Sequence, residues 1–295
     1  MSTPSVGVVI PTRGDRGDWL REAVRGALAQ EYAGELDVVV VADGADVRVV
    51  ARQVAALPVR VLPNRFSPGL PGARNTGIAA CDTDLIAFCD DDDVWLPGKL
   101  AAQVAAMDGG AWFASCGIEV EYGGQVVPRL AGTDTVTADD LVRSRMVMVH
   151  SSTFLFRRGT IQVDEGAPRG QNEDWDLALR AAKRHPLACA DRPLVRVRWG
   201  GSHYVSRWSD RIAGLEWMLS RHPELACDPR GAARVYGQLA FAHAALRRRR
   251  TAVRWAARTL STRLAEPRAA LALAVALGLP APTVLSLLHH RGRGI

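Results

Sequence analysis

Three times between Val6 and Ala80 the chain repeats one rhythm, a short continuous apolar run and then a stretch with helical spacing, and a fourth apolar run closes the series at Cys89. Val6-Gly7-Val8-Val9-Ile10 is unbroken and β-branched, as a strand buried on both faces of a parallel sheet must be. Pro11-Thr12-Arg13-Gly14 ends it. Asp18 is then expected to cap a helix whose apolar side carries Trp19, Leu20, Ala23, Val24, Ala27 and Leu28. A second strand, Val38 to Val41, precedes a turn at Asp43-Gly44 and a helical stretch over 46–56. A third, Val59 to Leu62, enters a Pro/Gly-rich loop over 63–72, followed by a helix over 73–80 and a fourth strand, Leu85 to Cys89. Parallel strands joined by helices require right-handed crossovers, so the expected fold is α/β, a doubly wound, mostly parallel sheet.

After residue 110 the rhythm loosens. Strands are expected within 112–122 and 125–127 around a Gly123-Gly124 hairpin turn, then over 152–157 and 194–199, with a helix over 173–184 between the last two. From 207 onward every pattern is helical, which sets the expected division into a sheet domain over 1–204 and a helical extension over 205–295. Residues 269–288 are uncharged and long enough to raise a membrane span, but Pro280 and Pro282 interrupt them. A packed helix pair or an interfacial anchor flanked by arginines suits that stretch better.

Charge divides along the same boundary. Residues 1–204 carry 22 basic and 26 acidic side chains, whereas 205–295 carry 15 and 5. The extension is therefore expected to meet something anionic, and a peripheral contact with an anionic membrane through 205–295 is one such partner. The Arg247-Arg248-Arg249-Arg250 run has few interleaved aromatics, and Tyr236, Phe241 and Trp255 fall at core spacing, so no nucleic-acid partner is expected. Five cysteines without C-x-x-C spacing, and no signal-peptide core at the N-terminus, point to a cytoplasmic, reducing setting.

The chemistry-bearing feature is Asp90-Asp91-Asp92-Asp93, directly after the fourth strand. Adjacent carboxylates repel by about 1 kcal/mol per pair at 4 Å in water, and by several times that in a partly buried cleft. Open α/β sheets bind ligands beyond the carboxyl ends of their strands. A divalent cation would relieve the repulsion there, and hard oxygen donors favour Mg²⁺ or Mn²⁺. The alternative is that the acids precede a helix, with Pro97 at its first position, and are stabilised by its positive end.

Several segments in register resemble the family two glycosyltransferases: Val6-Gly-Val-Val-Ile-Pro-Thr12, a helix ending Ala29-Gln30, Val38-Val-Val-Val-Ala-Asp-Gly44, Gly72-Ala-Arg-Asn-Thr-Gly77, and Ile86 through the acids to Pro97. The resemblance extends over about residues 5–205. It implies a GT-A fold, a nucleotide-diphosphate sugar donor (commonly UDP), inversion at the anomeric carbon, and an acceptor hydroxyl. By position, Asp43 would accept a hydrogen bond from the base, Pro11 and Thr12 would contribute backbone contacts to it, and Arg74 and Asn75 would form a basic loop near the nucleotide. Ala42 stands where many relatives have another aspartate. Asp90-x-Asp92 matches the D-x-D motif, with Asp92 as metal ligand, Asp90 or Asp91 nearer the ribose and Asp93 near the sugar. Glu173-Asp174 matches the family E-D motif. An inverting transfer needs one carboxylate to take the acceptor's proton, and Asp174 is the expected base. The physical alternative is that both acids merely occupy the first turn of a helix capped by Asn172. Glu173 and Trp175 fall on the expected acceptor side, where packing of Trp175 in the core is the competing reading. His203 is a candidate metal ligand beyond the last strand, and His150 a candidate for the acceptor side.

Two other classes compete. A nucleotidyltransferase would share the sheet and the acids, but the 11–17 loop lacks the glycine pair and lysine expected of it. A non-catalytic nucleotide-sugar-binding protein would be expected to have lost the acids or the Glu-Asp pair, and both are present.

Overall fold

The computed structural model describes residues 3–199 and 207–290. In chain order the first half comprises β1 (Val6–Thr12), α1 (Gly17–Leu28), β2 (Leu36–Ala42), α2 (Val47–Gln53), β3 (Arg60–Pro63), α3 (Leu70–Ala80), β4 (Leu85–Phe88), β5 (Val94–Trp95), α4 (Lys99–Ala106) and β6 (Phe113–Tyr122). Then follow β7 (Gln125–Arg129), β8 (Thr135–Val136), α5 (Ala138–Arg143), β9 (Leu155–Arg157), α6 (Glu173–Arg184) and β10 (Leu187–Arg198). The C-terminal helices are α7 (Trp208–Arg221), α8 (Glu224–Cys227), α9 (Pro229–Ala245), α10 (Arg249–Thr262), α11 (Pro267–Ala276) and α12 (Ala281–His290).

The sheet order is β3-β2-β1-β4-β9-β6-β10-β5, with β7 added to β6 and β8 to β10. β1 to β4 are mutually parallel, and all seven residues of β1 are buried, as its continuous β-branched run predicts. β9 breaks the pattern: it runs antiparallel to both β4 and β6, making the sheet mixed. Four phenylalanines fix that junction. Phe88 meets Phe156 edge-on at 5.3 Å, while Phe113 stacks on Phe156 at 5.4 Å and meets Phe154 at 5.0 Å. Such pairs contribute about 0.5–1.5 kcal/mol beyond their area, and they lie directly beneath the acids that follow β4.

Helix α3 shows why its motif has glycines at both ends. A Cβ on Gly77 would lie 2.2 Å from a Val9 methyl, and one on Gly72 would lie 2.0 Å from the Ser67 carbonyl oxygen. Only hydrogen there lets α3 press onto β1 and onto its own incoming loop.

Several local expectations change. Asp18 lies inside α1 and pairs with Arg21, and the N-cap position is Arg16, whose guanidinium is engaged elsewhere. Pro97 does not start a helix, because Gly98 in left-handed geometry precedes α4 and the acids are followed by β5 instead. Residues 151–153 form a 3-10 turn, leaving β9 only three residues long. The uncharged 269–288 stretch divides into α11 and α12 at Gly278, and among the described residues no helix is long and apolar enough to cross a membrane.

From Gly231 to Ala244 helix α9 is buried on every side. Val235, Leu239 and Ala242 join the main core, whereas Ala240, Phe241 and Ala244 join a second core with α10, α11 and α12. Tyr236 and Phe241 are buried as their spacing predicts, and half-buried Trp255 packs on Tyr236 at 5.3 Å.

Candidate active site

The four acids leave β4 in a tight turn, with the Asp93 amide donating to the Asp90 carbonyl. None is splayed into solvent, and each side chain has a different environment. Asp91 is buried against the end of β1, where Thr12 Oγ1 donates to it at 2.6 Å and Arg16 Nη2 at 2.5 Å. Arg16 Nη1 reaches Asp92 at 2.5 Å, and the Asp92 carbonyl accepts from Arg198 at the end of β10. Asp90 receives Arg74 Nη2 at 2.7 Å and Ser151 Oγ at 2.8 Å. Asp93, 2% exposed, receives Ser152 Oγ at 2.6 Å.

Burial raises Asp91 to about 6 although Arg16 and Thr12 oppose the shift. Burial, with Asp92 and Asp90 nearby, also pushes Asp93 well above the usual carboxylate range. At Asp90, burial is outweighed by Arg74 and His150, and the carboxyl stays below that range. The cluster thus holds more negative charge than its arginines neutralise. Asp90, Asp93 and His150 present ligand atoms within 4.8 Å of one another, a two-oxygen, one-nitrogen set that suits Mn²⁺ or Mg²⁺. Asp92 is turned toward Arg16 and is not part of that trio. His203 lies outside the described residues.

The remaining sequence-derived positions sort by depth. Pro11 and Thr12 end β1 beside Asp43, whose amide donates to the Thr12 carbonyl at 2.8 Å. Asp43 Oδ1 accepts from Asn64 and the Gly69 amide, which tethers the loop before α3. Arg74 and Asn75 sit within α3, not on a loop, and both are buried. Asn75 Nδ2 donates to Val163 O and Glu165, and its Oδ1 accepts from the Val163 amide. The reason is the close approach of α3 to β1, which turns this helix inward.

Arg74 is the hub of the site. At 1% exposed, it donates to Asp90 and, at 2.6 Å, to Glu173 at the start of α6, while its guanidinium carbon lies 5.4 Å from the Phe88 ring centroid. One cation therefore joins the acidic turn to the Glu-Asp pair. Burial raises Glu173 to about 7, with Arg74 opposing and Asp174 adding to the rise. Asp174 is buried as well, yet Arg145, His150 and Arg74 outweigh that effect and hold it below the usual range. Arg145 Nη2 reaches its two oxygens at 2.7 and 2.6 Å. Asn172 precedes α6 in left-handed geometry (φ 63°) and makes no side-chain cap, while both acids do occupy the first turn of the helix. Trp175 is 1% exposed and donates its indole N–H to the Leu141 carbonyl, which makes it a core residue.

Sequence reading missed Arg145, for which no motif gives a signal, and undervalued Arg16, visible only as one of two arginines in the 11–17 loop. Ser151 and Ser152 follow His150 in sequence, but only β9's reversal brings them under the acids.

The mixed sheet with flanking helices is the GT-A architecture. Solved structures share that fold. Residues 1–349 of S. aureus TarS in complex with UDP-GlcNAc superpose with TM-score 0.59 at 15% identity, covering 88% of this chain and 81% of that one. Mannosyltransferase PcManGT from Pyrobaculum calidifontis, in complex with GDP-Man and Mn²⁺, superposes with TM-score 0.55 at 19% identity, covering 97% and 79%. The family profile described as Glycosyl transferase family 2 matches residues 7–163, and the chain belongs to that family of glycosyl-transferring enzymes. Among curated relatives, UDP-Glc:alpha-D-GlcNAc-diphosphoundecaprenol beta-1,3-glucosyltransferase WfgD of Escherichia coli is 31% identical over 86 residues, 29% of this chain and 34% of that protein. Amylovoran biosynthesis glycosyltransferase AmsE of Erwinia amylovora is 26% identical over 190 residues, 61% and 71% respectively. The chain spans between 25% and 34% of the length of the first three curated relatives it matches.

Proposed function

We propose that this chain transfers a sugar from a nucleotide-diphosphate donor, UDP-linked in the first instance, to an acceptor hydroxyl with inversion, using the 1–204 region as the catalytic unit. The observation that carries the reading is Arg74, whose single guanidinium contacts both Asp90 of the acidic turn and Glu173 of the Glu-Asp pair. It fixes the donor end and the acceptor end of the site relative to each other. Asp43 and the end of β1 face the base, and the acidic turn faces the diphosphate. Asp174 is ionised at neutral pH because Arg145 sustains its charge, so it can accept the acceptor's proton as the acceptor oxygen bonds to the anomeric carbon. The bond from that carbon to the diphosphate oxygen breaks, and its electron pair leaves with the nucleotide.

Asp90, Asp93 and His150 would hold a divalent ion, with Asp92 joining once released from Arg16. Such an ion, when bound, supplies positive charge to the departing diphosphate. Thermal-shift titration with UDP-, GDP- and dTDP-sugars, with and without Mn²⁺, tests the class and the base together. A Mn²⁺-dependent stabilisation by a UDP-sugar, lost in Asp92→Ala, is expected. Unchanged affinity in that variant would remove Asp92 from the ion's surroundings.

A peripheral contact with anionic lipid through 205–295 is part of the same proposal. Arg249 and Arg250 open α10 at its positive end, where the helix dipole disfavours them, and share a shallow hollow with Val253 and Arg254. Leu264 and Leu277, 85% and 87% exposed, stand at the two turns flanking α11. Flotation with anionic liposomes at physiological salt is expected to carry the protein upward, and its absence would remove the lipid contact.

A further inference from the structure

Beside Asp174 lies a group of arginines larger than the proposed chemistry requires. Arg145 holds Asp174 itself. Arg234, on α9, is 9% exposed and stacks 4.7 Å from the centroid of Trp175, the neighbouring residue. Its Nε and Nη2 have no hydrogen-bond partner among the described residues. One turn along α9, a Cβ on Gly237 would lie 2.7 Å from the Arg268 Cβ, so α11 brings Arg268 against the same face. Arg268 Nη1 donates to Glu266 at 2.6 Å, while its Nε has no partner among the described residues. Helix α7 adds Arg211, one turn before Gly214, where a Cβ would lie 2.9 Å from Asn172 Nδ2, just ahead of the Glu-Asp pair. The charges sense one another: burial, then Arg268 and Arg145, lower Arg234 to about 9 against the pull of Glu266. Burial, then Arg145 and Arg268, lower Arg211 to about 10.

Arg145, Arg234 and Arg268 thus meet two carboxylates, Asp174 and Glu266, and Arg211 is near enough to add to their field. A buried cation without an acceptor is held against its solvation cost, and the matching ligand is a multiply charged oxyanion whose oxygens fit the planar fork. The donor diphosphate is directed to the acidic turn and does not fill this role. We infer that Arg145, Arg211, Arg234 and Arg268 form a seat for a phosphate or diphosphate ester carried by the acceptor, which sets the acceptor's hydroxyl beside Asp174. The role assigned to the seat rests on the glycosyl-transfer reading, but its binding of the ester does not. The seat also gives the C-terminal helices a function, because three of the four arginines come from them.

The test is calorimetry with farnesyl diphosphate and with inorganic pyrophosphate, both in EDTA so that no divalent ion loads the acidic turn. Saturable binding is expected, weakened at least 10-fold by Arg234→Gln and by Arg268→Gln. Without ligand, R234Q is expected to melt no lower than the parent protein, since it removes an uncompensated buried charge. Tighter binding of farnesyl diphosphate assigns the seat to a lipid-borne ester and equal binding to a soluble one; either result upholds it. No binding of either probe, undiminished binding by both variants, or a markedly lower melting temperature for R234Q would overturn it. Failure of the glycosyl-transfer reading would appear separately, as no response to any nucleotide sugar with Mn²⁺ while diphosphate still binds.

Discussion

The two flanks of the site carry opposite imbalances. Around the acidic turn, four carboxylates meet Arg16, Arg74 and the hydroxyls of Thr12, Ser151 and Ser152, and negative charge remains in excess. Around Asp174, Arg145, Arg234 and Arg268 meet Asp174 and Glu266, and positive charge remains in excess among these five groups. On each flank part of the charge is paired internally and part is left over. The lesson is that a buried like-charge cluster is informative through what is left after internal pairing, rather than through its size.

The sharpest way to break this comparison is at the one carboxylate shared with the basic flank. Asp174→Asn is expected to lower transfer by about 10²–10⁴-fold while leaving donor binding nearly intact. Steady-state kinetics beside donor calorimetry reads both, and retention of more than about a tenth of the turnover would show that another group takes the proton. Next in size is the bridge between the flanks. Arg74→Met strands Asp90 and Glu173 in a buried site, and denaturant unfolding should show a loss of about 3–5 kcal/mol. A loss under about 1 kcal/mol would mean that the acids relax independently of each other.

A smaller effect tests the exception on the sheet side. Lys99 is fully buried, donates to Gln103 at 2.7 Å and lies 3.9 Å from the Trp95 ring centroid, with no carboxylate paired to it among the described residues. Burial lowers its pKa from 10.5 to about 8. The unfolded chain then binds the proton more strongly, so this residue's contribution to stability grows as pH rises from about 8 to 10.5 and falls as pH drops through that window. Lys99→Met should therefore stabilise the protein at pH 7 by about 1–3 kcal/mol, with the gain vanishing above pH 10.5. Parallel unfolding curves for the two proteins across that range would refute it.

How much of this was legible depends on whether a residue's partner is near in sequence. β1 and β2 could be read from continuous β-branched runs, β4 from its short apolar run, and the acids from their place after β4, because these signals are local. The strand expected over 152–157 starts only at Leu155, because Ser151 and Ser152 are committed to Asp90 and Asp93 some sixty residues earlier. Arg74 suggested a nucleotide-facing loop because nothing around it shows that Gly72 and Gly77 draw α3 into the core. The basic flank was invisible beyond a bulk charge count. Arg145, Arg211, Arg234 and Arg268 share no motif, and only the packing of α7, α9 and α11 brings them together.

The reversal of β9 has a structural corollary. Because that strand enters from the opposite end of the sheet, the serines below the acidic turn arrive on a return segment anchored by Phe154 and Phe156, independent of the path taken by residues 123–149. That intervening excursion carries Arg145, which holds Asp174, so a change in its composition reaches the Glu-Asp side of the site while the serines beneath the acids keep their own anchor.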